Sequence, residues 1–139
     1  MSTGAVSLTS SAPFGSQGIV AVMDIENERG LVTMGARPAA MEFTFPHVAN
    51  GYGLFTGLAL ASGTTPARIT IEIYEASGGS PKSATVTLDA NQQLGRLVSE
   101  LVPGTETQVG GYIRIRSDQP IWAWEIYGSG EVMASGPPL

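Results

Sequence analysis

The chain has 139 residues, 42% hydrophobic and 14% charged, with a net charge of −5 and a pI near 4.7. That length suits one domain, or one and a fraction, and the apolar content speaks against disorder. The acidity excludes the basic face that nucleic acid or an anionic membrane surface demands, and the absence of cysteine excludes disulfides, thiolate zinc sites and a thiol nucleophile.

The start, MSTGAVSLTSS, has no basic segment followed by an apolar one. No secretion signal is therefore expected, and the chain reads as intracellular or as a piece of something longer. No apolar run reaches the roughly eighteen residues of a bilayer span, so membrane insertion is not expected. In GAVSLTSSAPF, 4–14, Val6 and Leu8 alternate with polar neighbours ahead of a Ser-x-x-Pro turn. DIENE, 24–28, then sets Asp24, Glu26 and Glu28 close together, and carboxylate oxygens are what Ca²⁺ takes. The segment lacks the glycine and terminal glutamate of an EF-hand loop, so a solvated loop is the preferred reading. These three acids are the sole metal candidates, and otherwise no metal and no cofactor is expected.

From residue 68 onward the apolar period is two. RITIEIY, 68–74, sets Ile69, Ile71 and Ile73 against Arg68, Thr70, Glu72 and Tyr74. KSATVTL, 82–88, puts Ala84, Val86 and Leu88 on one face. QQLGRLVSELVPG, 92–104, breaks the pattern: Leu94, Leu97, Val98 and Leu101 fall at helical spacing, which predicts a short helical crossover ended by Pro103-Gly104. YIRIR, 112–116, buries Ile113 and Ile115. SDQP, 117–120, reads as a turn, and IWAWEIY, 121–127, then puts Trp122, Trp124 and Ile126 inward with Glu125 and Tyr127 outward. One core is expected from Ile69, Ile71, Ile73, Val86, Leu88, Ile113, Ile115, Trp124 and Ile126. The fold class is all-β, an antiparallel β-sandwich, Ig-like or jelly-roll-like, with one short helical crossover.

The chain also repeats itself. Gly4, Val6, Leu8, Ser10 and Pro13 line up with Gly111, Ile113, Ile115, Ser117 and Pro120, and LVTMGARP, 31–38, lies over EVMASGPP, 131–138. Residues 1–42 then read as the back half of a preceding module or a strand-donating segment. Residues 43–139 read as a complete module packed with it as one unit, and residues 4–38 should share the local fold of 111–138.

The stretches FPHVANGYGLFTGLALAS, ITIEIYEASGG, VTLDANQQLGRLVSEL and GYIRIRSDQPIWAWEIYG resemble β-sandwich modules repeated in tandem in large exported surface proteins of bacteria. The resemblance covers about residues 43–138, with 4–38 as the tail of a preceding unit. Its motifs are structural. It implies an extracellular or cell-surface setting, a longer polypeptide and no catalytic residues to carry over.

Chemistry finds little purchase. His47 is the single histidine, so neither a histidine-based triad nor a multi-histidine metal site can form; it reads as a structural side chain at a strand end. GYGLFTG is neither a P-loop nor a dinucleotide fingerprint, and no serine sits in a nucleophile elbow. An enzyme is not expected. Tyr74, Tyr112, Arg114, Arg116 and Tyr127 should line outer strand faces, either as cross-strand pairs or as a ligand or partner surface. The function expected is a non-enzymatic structural or adhesive module of an exported assembly. The alternatives are a carbohydrate-binding module and a filament subunit built by β-strand addition. Its partners would be a protein, a second copy through an exposed sheet edge, or a glycan.

Overall fold

The computed structural model describes residues 20–24, 29–34, 37–129 and 132–139, the first two stretches as backbone alone. Val20–Asp24 (β1) and Arg29–Met34 (β2) form an antiparallel hairpin. The other strands form one antiparallel sheet of seven: Ala40–Phe45 (β3), Leu54–Ser62 (β4), Ala67–Tyr74 (β5), Lys82–Leu88 (β6), Gln93–Leu97 (β7), Tyr112–Ser129 (β8) and Val132–Gly136 (β9). The chain is all-β, and its single described helix, Val98–Leu101 (α1), has 4 residues.

β8, with 18 residues, organises the sheet. Arg116 has Glu42 of β3 on one edge and Thr70 of β5 on the other, while Ile121 has Ala40 of β3 and Ser62 of β4. β4 and β5 therefore follow one another along the same edge of β8, and β3 and β9 share the other. β7 and β6 repeat the arrangement one position out, against β4 and β5. The ranks break at 63–66 and 89–92, and there the sheet curls on itself as a half-barrel. Ser62 fixes this corner. Its Oγ lies 2.5 Å from Asp89 O and 3.1 Å from Gln92 O, donating to these carbonyls, and accepts from Gln92 N at 3.0 Å.

The concave face holds the core. Ile69, Ile71 and Ile73 of β5, Ile113 and Ile115 of β8, and Phe45 of β3 are wholly buried, packed with Leu58 and Leu60 from the other half of the curl. Leu88 joins them and Val86 packs partly against them, as the alternation predicts.

Three expectations are corrected. SDQP is no turn: β8 runs through it, with Ser117 opposite Ile69 of β5 and Ile121 opposite Ser62 of β4, and between them Asp118 Oδ1 takes the place of a carbonyl acceptor for the Arg68 amide at 2.8 Å. Odd-numbered residues consequently stay inward along the whole strand. Ile121, Ala123 and Glu125 are buried on the core side. Trp124 and Ile126 lie on the opposite face, in a separate cluster with Phe55 and Met133. The helix over 92–104 is mostly strand, since 93–97 pairs with 57–61 and ladder hydrogen bonds outweigh the helical spacing of its leucines. Only α1 remains, with the Leu97 amide donating to Glu100 Oε2. Of the repeated segment, 4–19 lies outside the described residues. β2 does pair with the strand before it, as β9 pairs with the end of β8.

Candidate functional site

The Tyr and Arg residues singled out from the sequence divide between two places. Tyr74, Tyr112, Arg114 and Arg116 share the convex face of β5 and β8, and there they satisfy one another. Tyr74 and Tyr112 stack with ring centroids 4.5 Å apart. Arg114 pairs with Glu42 at 2.6 Å, which raises its pKa, and Arg116 pairs with Glu72 at 2.7 Å. These are cross-strand pairs on a wet sheet face.

Tyr127 is elsewhere. It is half-buried on the concave side, at one end of the curl, with its ring 4.4 Å from that of His47. The two rings wall an open groove of about 330 Å³, lined also by Ala49, Leu54, Met133 and Ala134. A buried polar network sets its walls. Asn50 Oδ1 accepts the Thr56 amide at 3.0 Å and Asn50 Nδ2 donates to Thr105 O at 3.0 Å. Thr56 Oγ1 accepts from the Ala49 amide and donates to the Ala49 carbonyl. These bonds clamp the segment bearing His47 onto the first turn of β4, so the histidine is positioned by backbone rather than by its own side chain.

A tight turn feeds the same groove. Gly51 and Leu54 exchange both backbone hydrogen bonds, at 3.0 and 2.9 Å, around Tyr52 and Gly53. Both central residues have positive φ, 56° and 82°, the signature of a type I′ turn, where asparagine or glycine is the usual first central residue. Tyr52 sits there instead and is 88% exposed. Leu54 and Val132 at the groove rim are exposed as well.

Beneath Tyr127 lies a group that strand alternation assigns to the wet face. Glu125 is 0% exposed, and neither carboxylate oxygen has a hydrogen-bond partner. Desolvation alone pushes its carboxyl up to about 8. Glu125 is opposite Gly136 in the β8–β9 register. A Cβ at Gly136 would stand 2.6 Å from Glu125 Oε2 and 3.4 Å from Tyr127 Cε1, so carboxylate and phenol ring converge over a residue without a side chain. Only the burial of Glu125 distinguishes it, and burial is what sequence conceals.

The acidic candidates fall outside this picture. Glu26 and Glu28 lie outside the described residues, as does the side chain of Asp24. Among the described residues no group of three or more His, Asp or Glu is placed to hold a metal ion, and no helix is long and apolar enough to cross a membrane.

No family model and no curated protein matches the chain. Solved structures do. A Thermotoga maritima protein, 1070, is similar at 16% identity and a TM-score of 0.59, over 70% of this chain and 93% of that one. The Anabaena sensory rhodopsin transducer is similar at 14% identity and a TM-score of 0.55, over 63% of this chain and 95% of that one. At such identities the likeness establishes a shared all-β fold.

Proposed function

We propose that the chain is a non-enzymatic adhesive module of an exported or cell-surface bacterial assembly, and that it makes its contacts through the groove at the end of the curl. In this reading the two halves of the sheet serve as the layers of a sandwich-type module, and the convex Tyr-Arg-Glu rows serve stability. The observation that carries it is Tyr52. An aromatic side chain held in left-handed backbone and left 88% exposed stores strain with no packing in return, and strain of that kind gathers at contact sites. Apolar Leu54 and Val132 beside it extend the contact surface.

The test is binding of the purified chain to an array of glycans and immobilised extracellular proteins. Tyr52→Ala should abolish whatever binding is found, and Arg114→Ala should leave it intact. The opposite pattern moves the contact to the convex face, and no binding at all removes the adhesive reading.

A second reading, carbohydrate binding, is favoured by the half-buried Tyr127 ring on the groove wall. An aromatic face there suits a sugar ring, and the groove's size is that of a small-ligand site. Under that reading the array yields soluble saccharides that compete for the groove.

A further inference from the structure

We infer that the groove is a site for an organic ammonium group, with Glu125 as its buried counter-charge and Tyr127 as the ring that covers the carboxylate when the site is empty. The inference rests on the groove being the contact site and names the chemistry it would recognise.

Three observations converge. Both oxygens of Glu125 are buried with no donor, and a buried polar group left unpaired is expensive. A ligand that brings N–H donors and a positive charge satisfies both oxygens at once, as a charge-assisted pair. Glu125 and Gly136 do not themselves line the groove, but Tyr127 does, and a Cβ at Gly136 would meet both Glu125 Oε2 and the Tyr127 ring, which places the phenol beside the carboxylate and the groove alike. The walls also suit a cation. The Tyr127 ring on the groove wall presents an aromatic face, and Tyr52, two residues before the groove-lining Leu54, is an exposed second one.

Among the described residues no cationic side chain is paired with this carboxylate. On the same face, β4 contributes Thr56 and Leu58, β9 contributes Ala134 and Gly136, and β3 contributes Phe43 and Phe45. The titratable and charged groups on the carboxylate's side of the sheet among the described residues are Tyr127 beside it, His47 across the Tyr127 ring and Arg96 on β7. Arg96 is in the same rank as Leu58 and Glu125, and its guanidinium turns to Glu100 at 4.0 Å.

An ammonium group reaches proteins either as a free amine or as the tip of a lysine side chain. Calorimetric titration of the full chain with n-butylammonium, with an Nα-acetylated lysine peptide and with neutral n-pentanol separates the sources. One of the two cations should bind at least about tenfold more tightly than the alcohol. Binding to the protonated carboxyl must displace its proton. Repeating the titration in buffers of different ionisation enthalpy should therefore show close to one proton released near pH 6.5 and progressively less above about pH 8. Glu125→Gln keeps the shape and removes the charge, and should erase both the preference and the proton release. Equal affinity for alcohol and amine, or binding without proton release, overturns the inference. If Tyr52→Ala still abolishes array binding in that case, the adhesive reading stands without it. If Tyr52→Ala has no effect, both fall.

Discussion

Asp118 Oδ1 accepts the backbone amide of Arg68 at 2.8 Å, joining β8 to the first turn of β5 at the corner where the sheet curls. The side chain substitutes for a ladder partner, and β8 bends without ending. Because the strand does not end, its alternation is not reset. Ile121 falls on the same face as Ile113 and Ile115, and the tryptophans on the other.

That parity predicts an inversion of the usual order of side-chain size. Ile121 is 0% exposed, so Ile121→Ala should destabilise by about 2–5 kcal/mol. Trp122 is half-exposed, with its indole N–H donated to Arg37 O at 3.1 Å. Trp122→Ala should lose less, about 1–2 kcal/mol, although it removes more atoms. Urea midpoints of the two variants decide it, and a larger loss at Trp122 would restore the tryptophan face to the core.

The strands at 68–74, 82–88 and 112–116 were legible because each alternates with one apolar face, and a pleated sheet asks for nothing else. Residues 117–127 misled for a physical reason. Ser117, Asp118 and Pro120 favour a turn locally, and it is the ladders to β5 and β4 on either side, with the bond from Arg68 to Asp118 between them, that hold the segment as strand. Leu94, Leu97, Val98 and Leu101 are compatible with a helix face, yet β4 offers 93–97 a ladder that no local pattern records. The groove was hidden more deeply. His47 and Tyr127 are far apart in sequence, and Glu125 occupies a position that chemistry reserves for apolar side chains.

The corner itself should respond to loss of one hydroxyl. Ser62 is 6% exposed and its Oγ bonds the backbone of both Asp89 and Gln92. Ser62→Ala removes these bonds but leaves the Gln92 carbonyl its bond from the Ser62 amide at 2.9 Å and the Gln92 amide its bond to Asp89 O at 3.2 Å, so it should cost about 0.5–1.5 kcal/mol. Faster hydrogen exchange at the Gln92 amide, which loses the shorter of its two bonds and keeps the one to Asp89 O, would locate the damage. Unchanged exchange there would mean that the turn holds itself.

Two glycines of positive φ make a matched pair. At Gly111, φ 113°, a Cβ would stand 1.9 Å from the Tyr74 carbonyl oxygen. At Gly53, φ 82°, it would meet nothing within 4 Å. Gly53→Ala should therefore cost only the backbone strain, about 1–2 kcal/mol. Gly111→Ala must part β5 from β8 and should exceed about 4 kcal/mol, enough to deplete the folded protein. Comparable melting temperatures for the two variants would show that the β5–β8 end relaxes freely.

Glu125 makes stability depend on pH in an unusual direction. In the unfolded chain its carboxyl titrates near 4.5, and in the fold at about 8. Between those values the folded state holds a proton that the unfolded state has released, so stability declines as pH rises through that window. The advantage of the neutral carboxyl is complete below about 4.5 and gone above about 8. At about 1.4 kcal/mol per pH unit separating the two values, the whole swing is on the order of several kcal/mol. Most acidic proteins lose stability on acidification instead, when paired carboxylates are protonated. Urea unfolding from about pH 5 to about pH 9 should therefore show a midpoint that falls with pH, and Glu125→Gln should flatten the curve and be the more stable protein at the alkaline end. A wild-type midpoint that rises across this range, or a Gln variant that follows the wild type, would mean that the carboxylate is ionised in the fold and has found a donor.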